Sequence, residues 1–286
     1  MVKKGIILAG GSGTRLSPLT KAVNKQLLPI YDKPLVFYPL SILMLANIRD
    51  ILVIVNPGQL KNFKNLLGDG RRYGVKIQYK IQNKPKGLPE AFILGKNFIK
   101  KDNVALILGD NFFYGQSLTA KLEKSLTHKS GSRIFLKKVK KPENYGVAVI
   151  NNNKIERLIE KPKKLISSYA ITGLYFFDNN VIKYAKTLKP SKRGELEIID
   201  LLQIYKKNYK LSFEHIGRGA IWSDAGKIDD MTNISSFVQS VEKVQDIKIA
   251  CLEEIALNKK WIDKKKIFKN IKFYGNCDYS NYLKKI

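Results

Sequence analysis

Apolar residues occur in short runs, and strand-like runs alternate with helix-periodic ones through the first half of the chain. Residues 5–9 read as a buried strand that ends in the loop Gly10-Gly11-Ser12-Gly13-Thr14. A helix is predicted over 35–47, a strand over 51–55, and a helix over 59–67 that closes at Gly68-Asp69-Gly70. A strand over 76–81, a helix over 89–99 and a strand over 105–108 follow, the last running into Gly109-Asp110-Asn111. This βαβα order predicts an α/β fold, a Rossmann-like, mostly parallel sheet with helices on both faces. Ligands then bind at the carboxyl ends of the strands.

The second half is more mixed. Residues 146–150 and 154–160 resemble a hairpin turning at Asn151-Asn152-Asn153. An apolar aromatic strand is predicted over 170–177, a helix over 197–206 and a strand over 211–215. From about residue 234 the pattern is helical, with Ile234, Phe237, Val238, Val241 and Val244 on one face. Residues 1–233 are therefore expected to form the main domain, and 234–286 a small helical appendage packed on it.

Composition narrows the chemistry. With 286 residues, 44% apolar and 27% charged, the chain matches soluble globular proteins, which excludes long disorder. The longest apolar run, 34–48, falls short of the roughly 20 residues a membrane span needs. The first apolar run leads straight into Arg15 and Lys21, so it reads as a buried strand rather than a leader peptide. A cytoplasmic setting without a membrane partner is expected. Two cysteines, Cys251 and Cys277, make no disulfide framework and are expected as packed thiols. Two histidines, His128 and His215, leave almost nothing for a zinc site or a histidine-activated nucleophile. Chemistry must run on Asp, Glu, Lys, Arg and backbone amides.

The net charge of +28 (52 basic minus 24 acidic) raises the question of nucleic-acid binding. The basic residues are scattered, Lys far outnumbers Arg, and no helix-turn-helix, zinc-finger or RRM signature is present. The excess is read as solvated surface that also suits anionic phosphates, and no nucleic-acid partner is expected.

The loop after the first strand carries the strongest local signal. Gly10 and Gly13 permit close approach of backbone to a ligand, and the loop amides can cradle phosphate. The loop lacks the Gly-Lys-Ser/Thr of a Walker A sequence, and Leu16 stands where a dinucleotide fingerprint has its third glycine. Instead it delivers Thr14 and Arg15, whose guanidinium forks onto phosphate oxygens. Lys25 stands in a position to return to the same phosphates.

Leu8-Ala9-Gly10-Gly11-Ser12-Gly13-Thr14-Arg15-Leu16, followed by Lys25-Gln26-Leu27-Leu28-Pro29, resembles the signature of the sugar-1-phosphate nucleotidylyltransferases. Leu108-Gly109-Asp110-Asn111, Glu160-Lys161-Pro162, Thr172-Gly173-Leu174-Tyr175-Phe176 and Arg193-Gly194-Glu195-Leu196-Glu197 narrow the resemblance to the glucose-1-phosphate thymidylyltransferases. The likeness is collinear over essentially the whole chain. It implies a nucleotide-diphospho-sugar transferase fold and transfer from dTTP to glucose 1-phosphate, giving dTDP-glucose and pyrophosphate as a first step of dTDP-rhamnose-type sugar synthesis. Such phosphoryl-type transfer relies on positioning and charge neutralisation, in keeping with a chain nearly devoid of His and Cys.

By the same resemblance, Arg15, Lys25 and Lys161 are catalytic. Gly10, Gly13, Thr14, Arg15, Lys25, Gln26, Gln82, Gly87 and Asp110 bind the nucleotide, Gln82 and Gly87 at the thymine edge. Asn111, Gly146, Glu160, Lys161, Ile171, Tyr175 and Arg193 bind the sugar phosphate, and Asp110 with Asp224 holds Mg²⁺. A homotetramer with a feedback site for the pathway end product is also implied.

Some positions depart from the pattern. Lys86 stands where an acidic or neutral residue is common, Pro89 where Ala is usual, and Ile199 where Thr is usual. Asp224-Ala225-Gly226-Lys227 replaces Asp-Thr-Gly-Thr, so Lys227 either competes with Mg²⁺ or adds a phosphate contact. The rival readings are a relative using UTP or another sugar 1-phosphate, a basic nucleic-acid-binding protein, and a catalytically silent regulatory homologue.

Overall fold

Alternation along the first strand, β1 (Val2–Ala9), divides the interior in two. Ile6 faces one side of the sheet and Ile7 and Ala9 the other, all fully buried. The computed structural model describes residues 1–11, 13–127 and 130–286. Ser12 of the glycine loop and His128 lie outside the described residues.

After β1 come a 3₁₀ turn (Thr14–Leu16), helix α1 (Leu19–Ala22), a second 3₁₀ turn (Lys25–Leu27) and the small hairpin β2 (Pro29–Ile30) and β3 (Lys33–Pro34). The alternating half continues through α2 (Phe37–Leu45), β4 (Asp50–Val55), α3 (Leu60–Leu67), β5 (Lys76–Ile81), α4 (Glu90–Leu94), α5 (Lys96–Ile99) and β6 (Asn103–Leu108). Next are β7 (Phe112–Gly115), α6 (Leu118–Leu126), β8 (Ser132–Lys138), β9 (Gly146–Asn151), β10 (Lys154–Glu160) and β11 (Tyr169–Phe177). Then follow α7 (Val181–Thr187), α8 (Ile198–Lys207), β12 (Leu211–His215) and β13 (Ala220–Ser223). Helices α9 (Ile228–Gln245), α10 (Leu252–Asn258), α11 (Lys264–Tyr274) and α12 (Asp278–Lys285) close the chain.

The main sheet runs β10-β9-β11-β6-β1-β4-β5, with β8 branching from β11 and β12 added to β8. Its heart, β6-β1-β4-β5, is parallel, with Gly5 opposite both Ile51 and Ala105. Strand β11 enters antiparallel beside β6 and makes the sheet mixed. One face packs Val53, Val55 and Ile107 against α2, α3 and α10; the other packs Leu52, Ile54 and Leu106 against α4, α7 and α8. Burial on both faces explains the nearly unbroken apolar runs of these strands.

The predicted α/β architecture is present, with adjustments. The helix expected over 89–99 breaks at Gly95, a weak helix former, into α4 and α5. The C-terminal helix starts at Ile228, before the expected 234. Its Ile234 and Val238 are buried, but Val244 is 85% exposed, contrary to the expected face. Glu242 is buried instead, because ionic partners await it there. Cys251 is packed as expected, whereas Cys277 is exposed at the start of α12. Burial pushes the Cys251 thiol up to about 12, while hydrogen bonds from Ser280 pull the Cys277 thiol down.

Candidate active site

Four parallel strands deliver their carboxyl ends to one cleft. Strand β1 ends at the glycine loop, β4 at Asn56, β5 at Gln82 and β6 at Gly109-Asp110. A cavity of about 200 Å³ opens among Gly10, Gly11, Gln26, Gln82, Gly87 and Asp110. A larger hollow of about 750 Å³ lies on the surface beside α5 and α7, lined by Lys96, Lys100, Lys183 and Lys186, and none of the expected site residues reaches it.

Glycine at 10 brings the loop backbone close to Gln82, since a β-carbon there would stand 2.5 Å from Gln82 Oε1. Past the loop, Leu16 is buried and Thr14 and Arg15 are exposed. The Arg15 guanidinium acts on Asp224 and Tyr145 electrostatically, which places it at the mouth of the cleft.

Asn24 caps the next 3₁₀ turn by accepting from the Gln26 N–H at 2.9 Å, and so aims Lys25 and Gln26 inward. Lys25 is 5% exposed; its ammonium donates to Asp110 Oδ2 at 2.6 Å and to the Asp224 carbonyl at 3.3 Å. Gln26 Oε1 is buried with no donor among the described residues, an acceptor open to a ligand.

Asp110 is also held by Asn111, whose Nδ2 donates to Oδ1 at 2.9 Å. Asn111 Oδ1 in turn accepts from Gly173 N–H at 3.0 Å and from Trp222 Nε1 at 2.6 Å. Fully buried, Asn111 is placed to orient Asp110. Trp222 packs on Tyr145, ring centroids 5.1 Å apart, and the Tyr145 hydroxyl lies near the Asp224 carboxylate. Burial and the Asp224 carboxylate push Tyr145 up to about 12. Burial and the Asp110 charge raise the Asp224 carboxyl, with Lys25 opposing. Two carboxylates thus share one partly desolvated place, an arrangement that favours a cation between them.

Gln82 has its orientation set by Glu90. Its Nε2 donates to Glu90 Oε2 at 2.6 Å, and the same oxygen accepts the Lys86 N–H at 3.1 Å. A carboxylate only accepts, so the amide nitrogen must face it and Oε1 is fixed beside Gly10. Gly87, at φ +99°, bridges to Leu196; a β-carbon would fall 2.0 Å from the Leu196 carbonyl.

That bridge leads to the second group of expected residues. Gly146 opens β9 opposite Glu160 at the end of β10. Burial and Glu197 raise the Glu160 carboxyl, opposed by Lys161 and Arg193. Arg193 Nη2 donates to Glu197 Oε2 at 2.7 Å and to Glu160 Oε1 at 3.3 Å, and the Glu197 hydrogen bond strengthens its hold on the proton. Lys161 is exposed and bends back at φ +43°, its N–H bonded to the Tyr145 carbonyl at 3.1 Å. Ile171 and Tyr175 are buried in β11, where burial raises the Tyr175 hydroxyl, with Glu160 adding to it. Lys227 is exposed at the start of α9, with its N–H on Asp230 Oδ2 at 3.0 Å.

The nucleotidyl transferase family profile matches residues 4–241. The chain belongs to the nucleotidyl transferase family. Within this family it is 50% identical over 281 residues to a glucose-1-phosphate thymidylyltransferase of Neisseria meningitidis serogroup A, covering 98% of each chain. It is 48% identical to a glucose-1-phosphate thymidylyltransferase of Mycolicibacterium smegmatis, over 98% of this chain and 97% of that one. A Bacillus anthracis protein crystallised with a sucrose superposes with a TM-score of 0.79 at 37% identity, over 88% of this chain and 99% of that one. In this nucleotidyl transferase the residues missed from sequence are Glu90, which holds Gln82, Trp222, which holds Asn111, and Tyr145, which lies beside Asp224. Tyr145 lies directly before the predicted hairpin, and Trp222 two residues before Asp224, so adjacency was the available signal.

Proposed function

We propose that the chain transfers the thymidylyl group of dTTP to glucose 1-phosphate. The observation that carries this reading is the joint placement of Lys25 between Asp110 and Asp224 and of an oriented Gln82 amide in the adjoining cavity. A phosphate oxygen of glucose 1-phosphate attacks the α-phosphorus, a P–O bond forms, the α–β P–O bond breaks, and pyrophosphate leaves. Arg15 and Lys25 neutralise charge as it moves toward the leaving group. Gln82 accepts the thymine N3–H at Oε1 and donates to O4 with its second amide hydrogen. Glu160 accepts from sugar hydroxyls, and Lys161 and Arg193 take the sugar phosphate.

Asp110 and Asp224 fit a hard divalent cation such as Mg²⁺. Among the described residues no cluster of three or more His, Cys, Asp or Glu is arranged for a metal, so substrate phosphates complete this set. When bound, the ion neutralises phosphate charge. Among the described residues no helix is long and apolar enough to cross a membrane.

The test is pyrophosphate release across four nucleotides and several sugar 1-phosphates. Turnover confined to dTTP with glucose 1-phosphate is expected. Preference for UTP or another sugar phosphate would redirect the reading, and no release from any pair would refute it.

A further inference from the structure

Away from the cleft, two lysines and two carboxylates close a ring. Lys33 Nζ donates to Glu242 Oε1 at 2.9 Å and pairs with Asp32 Oδ1. Lys248 Nζ donates to Glu242 Oε2 at 3.2 Å and pairs with Asp32 Oδ2. Each cation touches both anions, so the ring carries no net charge. Its Lys33–Glu242 half lies inside the molecule, with those side chains 2% and 5% exposed, while Asp32 and Lys248 close the ring toward the surface. Glu242 Oε1 also accepts the Ile249 N–H at 2.8 Å, and the Lys33 ammonium sits 5.9 Å from the Tyr38 and Tyr279 ring centres.

Buried ion pairs add little net stability, because desolvation offsets their attraction; their best-attested use is to fix register. The ring joins two arms that both start in the cleft. One runs from Lys25 through the β2–β3 hairpin to Lys33. The other runs from Asp224 into α9, which at ~1.5 Å per residue carries Glu242 roughly 20 Å beyond Ile228. The near ends touch where Lys25 meets the Asp224 carbonyl at 3.3 Å. Between them Leu28, Ile30 and Tyr38 pack with Ala225, Met231, Ile234 and Val238. Apolar contact is non-directional and holds the arms together without fixing their offset along the helix. A polar tie from the Tyr31 N–H to Ser235 Oγ at 3.1 Å is exposed.

We infer that Lys33 and Glu242 are positioning residues: their buried pair, closed into a ring by Asp32 and Lys248, sets the register of α9 along the hairpin and so holds the Asp224 carbonyl against Lys25. The kinetic consequence rests on the nucleotidyl-transfer reading; the structural consequence does not.

The test is the double variant Lys33→Met with Glu242→Gln, which removes one charge of each sign and keeps an acceptor for Ile249. Its melting temperature should stay within a few degrees of wild type. Its kcat should fall ten- to hundredfold, roughly the effect of a small misplacement of reacting groups. The KM for dTTP should move by less than about threefold, since ground-state contacts persist. Amide hydrogen exchange should accelerate in 24–30 and 225–235 while β1 and β4 keep their protection. Lys33→Arg should restore much of the kcat, and Lys285→Ala, which breaks the exposed pair with Asp246, should leave it unchanged. Wild-type kcat with wild-type exchange in both segments overturns the inference, as does exchange that rises uniformly across the sheet. If the double variant fails to fold, Glu242→Gln alone is measured by exchange under the same two criteria. A wild type that releases no pyrophosphate sinks the nucleotidyl-transfer reading, and the exchange data then decide the ring alone.

Discussion

Glu90 offers a sharp test of base recognition, because it acts on Gln82 and not on the nucleotide. Glu90 Oε2 takes the Gln82 Nε2 donor at 2.6 Å, with Gln82 only 3% exposed, so the amide has one orientation. In that orientation Gln82 matches the N3–H donor and O4 acceptor of thymine. Cytosine presents the reverse pattern and would need the amide flipped, with its oxygen against the carboxylate. Glu90→Gln replaces an acceptor with a group that accepts or donates, so both orientations of Gln82 become accessible. A hydrogen bond to a charged group contributes about 1.5–3 kcal/mol. The dTTP over dCTP preference in kcat/KM should therefore fall by roughly ten- to a hundredfold, at about 1.4 kcal/mol per decade. The assay is pyrophosphate release with each nucleotide at saturating glucose 1-phosphate. The ratio cancels losses common to both nucleotides, including looser packing of Lys86. An unchanged ratio, with dTTP turnover lowered or not, would refute the account of Gln82 as an oriented reader.

Further outcomes are expected. Asp110→Asn and Asp224→Asn should each lose most activity, and the double variant should be scarcely worse than the poorer single, because groups acting as a unit are not additive; multiplicative losses in a Mg²⁺ titration would separate them. The Asp224 carboxyl is raised in the folded protein, chiefly by burial and Asp110. The native state then holds its proton longer than the unfolded chain does, so this group's contribution to stability falls as pH rises from the unfolded value near 3.8 through the folded one. Asp224→Asn should accordingly raise the metal-free melting temperature at pH 7 and not below about pH 3, where both forms are protonated; equal melting at pH 7 would contradict this. Iodoacetamide should modify exposed Cys277 in the native protein and spare Cys251, as peptide mass mapping would show.

The parallel heart of the fold was legible because β1, β4 and β6 carry nearly unbroken apolar runs, and β1 and β6 end at glycines followed by the loop and Asp110. That logic placed the glycine loop and Asp110 at one sheet edge from sequence. Strand β8 was not legible: Ile134, Phe135 and Leu136 are flanked by Arg133, Lys137 and Lys138, and the strand pairs only with segments distant in sequence. The motif resemblance named Gln82 and Asp224, but not Glu90 and Tyr145, which act through them. A lone glutamate on a short helix and a tyrosine before a strand carry no periodic signal. Val244 shows the opposite failure, since the helical period continues in sequence after the apolar partner surface has ended.

The pairing of Gly87 with Leu196 has a thermodynamic consequence. The Leu196 N–H bonds the Lys86 carbonyl at 2.7 Å, so the loop bearing Gly87 and the loop bearing Arg193 are hydrogen-bonded to each other. A ligand that orders one loop lowers the entropy cost of ordering the other. Linkage then requires the effect to be mutual: the factor by which bound nucleotide tightens sugar-phosphate binding equals the factor by which bound sugar phosphate tightens the nucleotide. On the proposed reading, occupancy of either half of the cleft would be communicated to the other through this backbone bridge, before any phosphorus–oxygen bond is made.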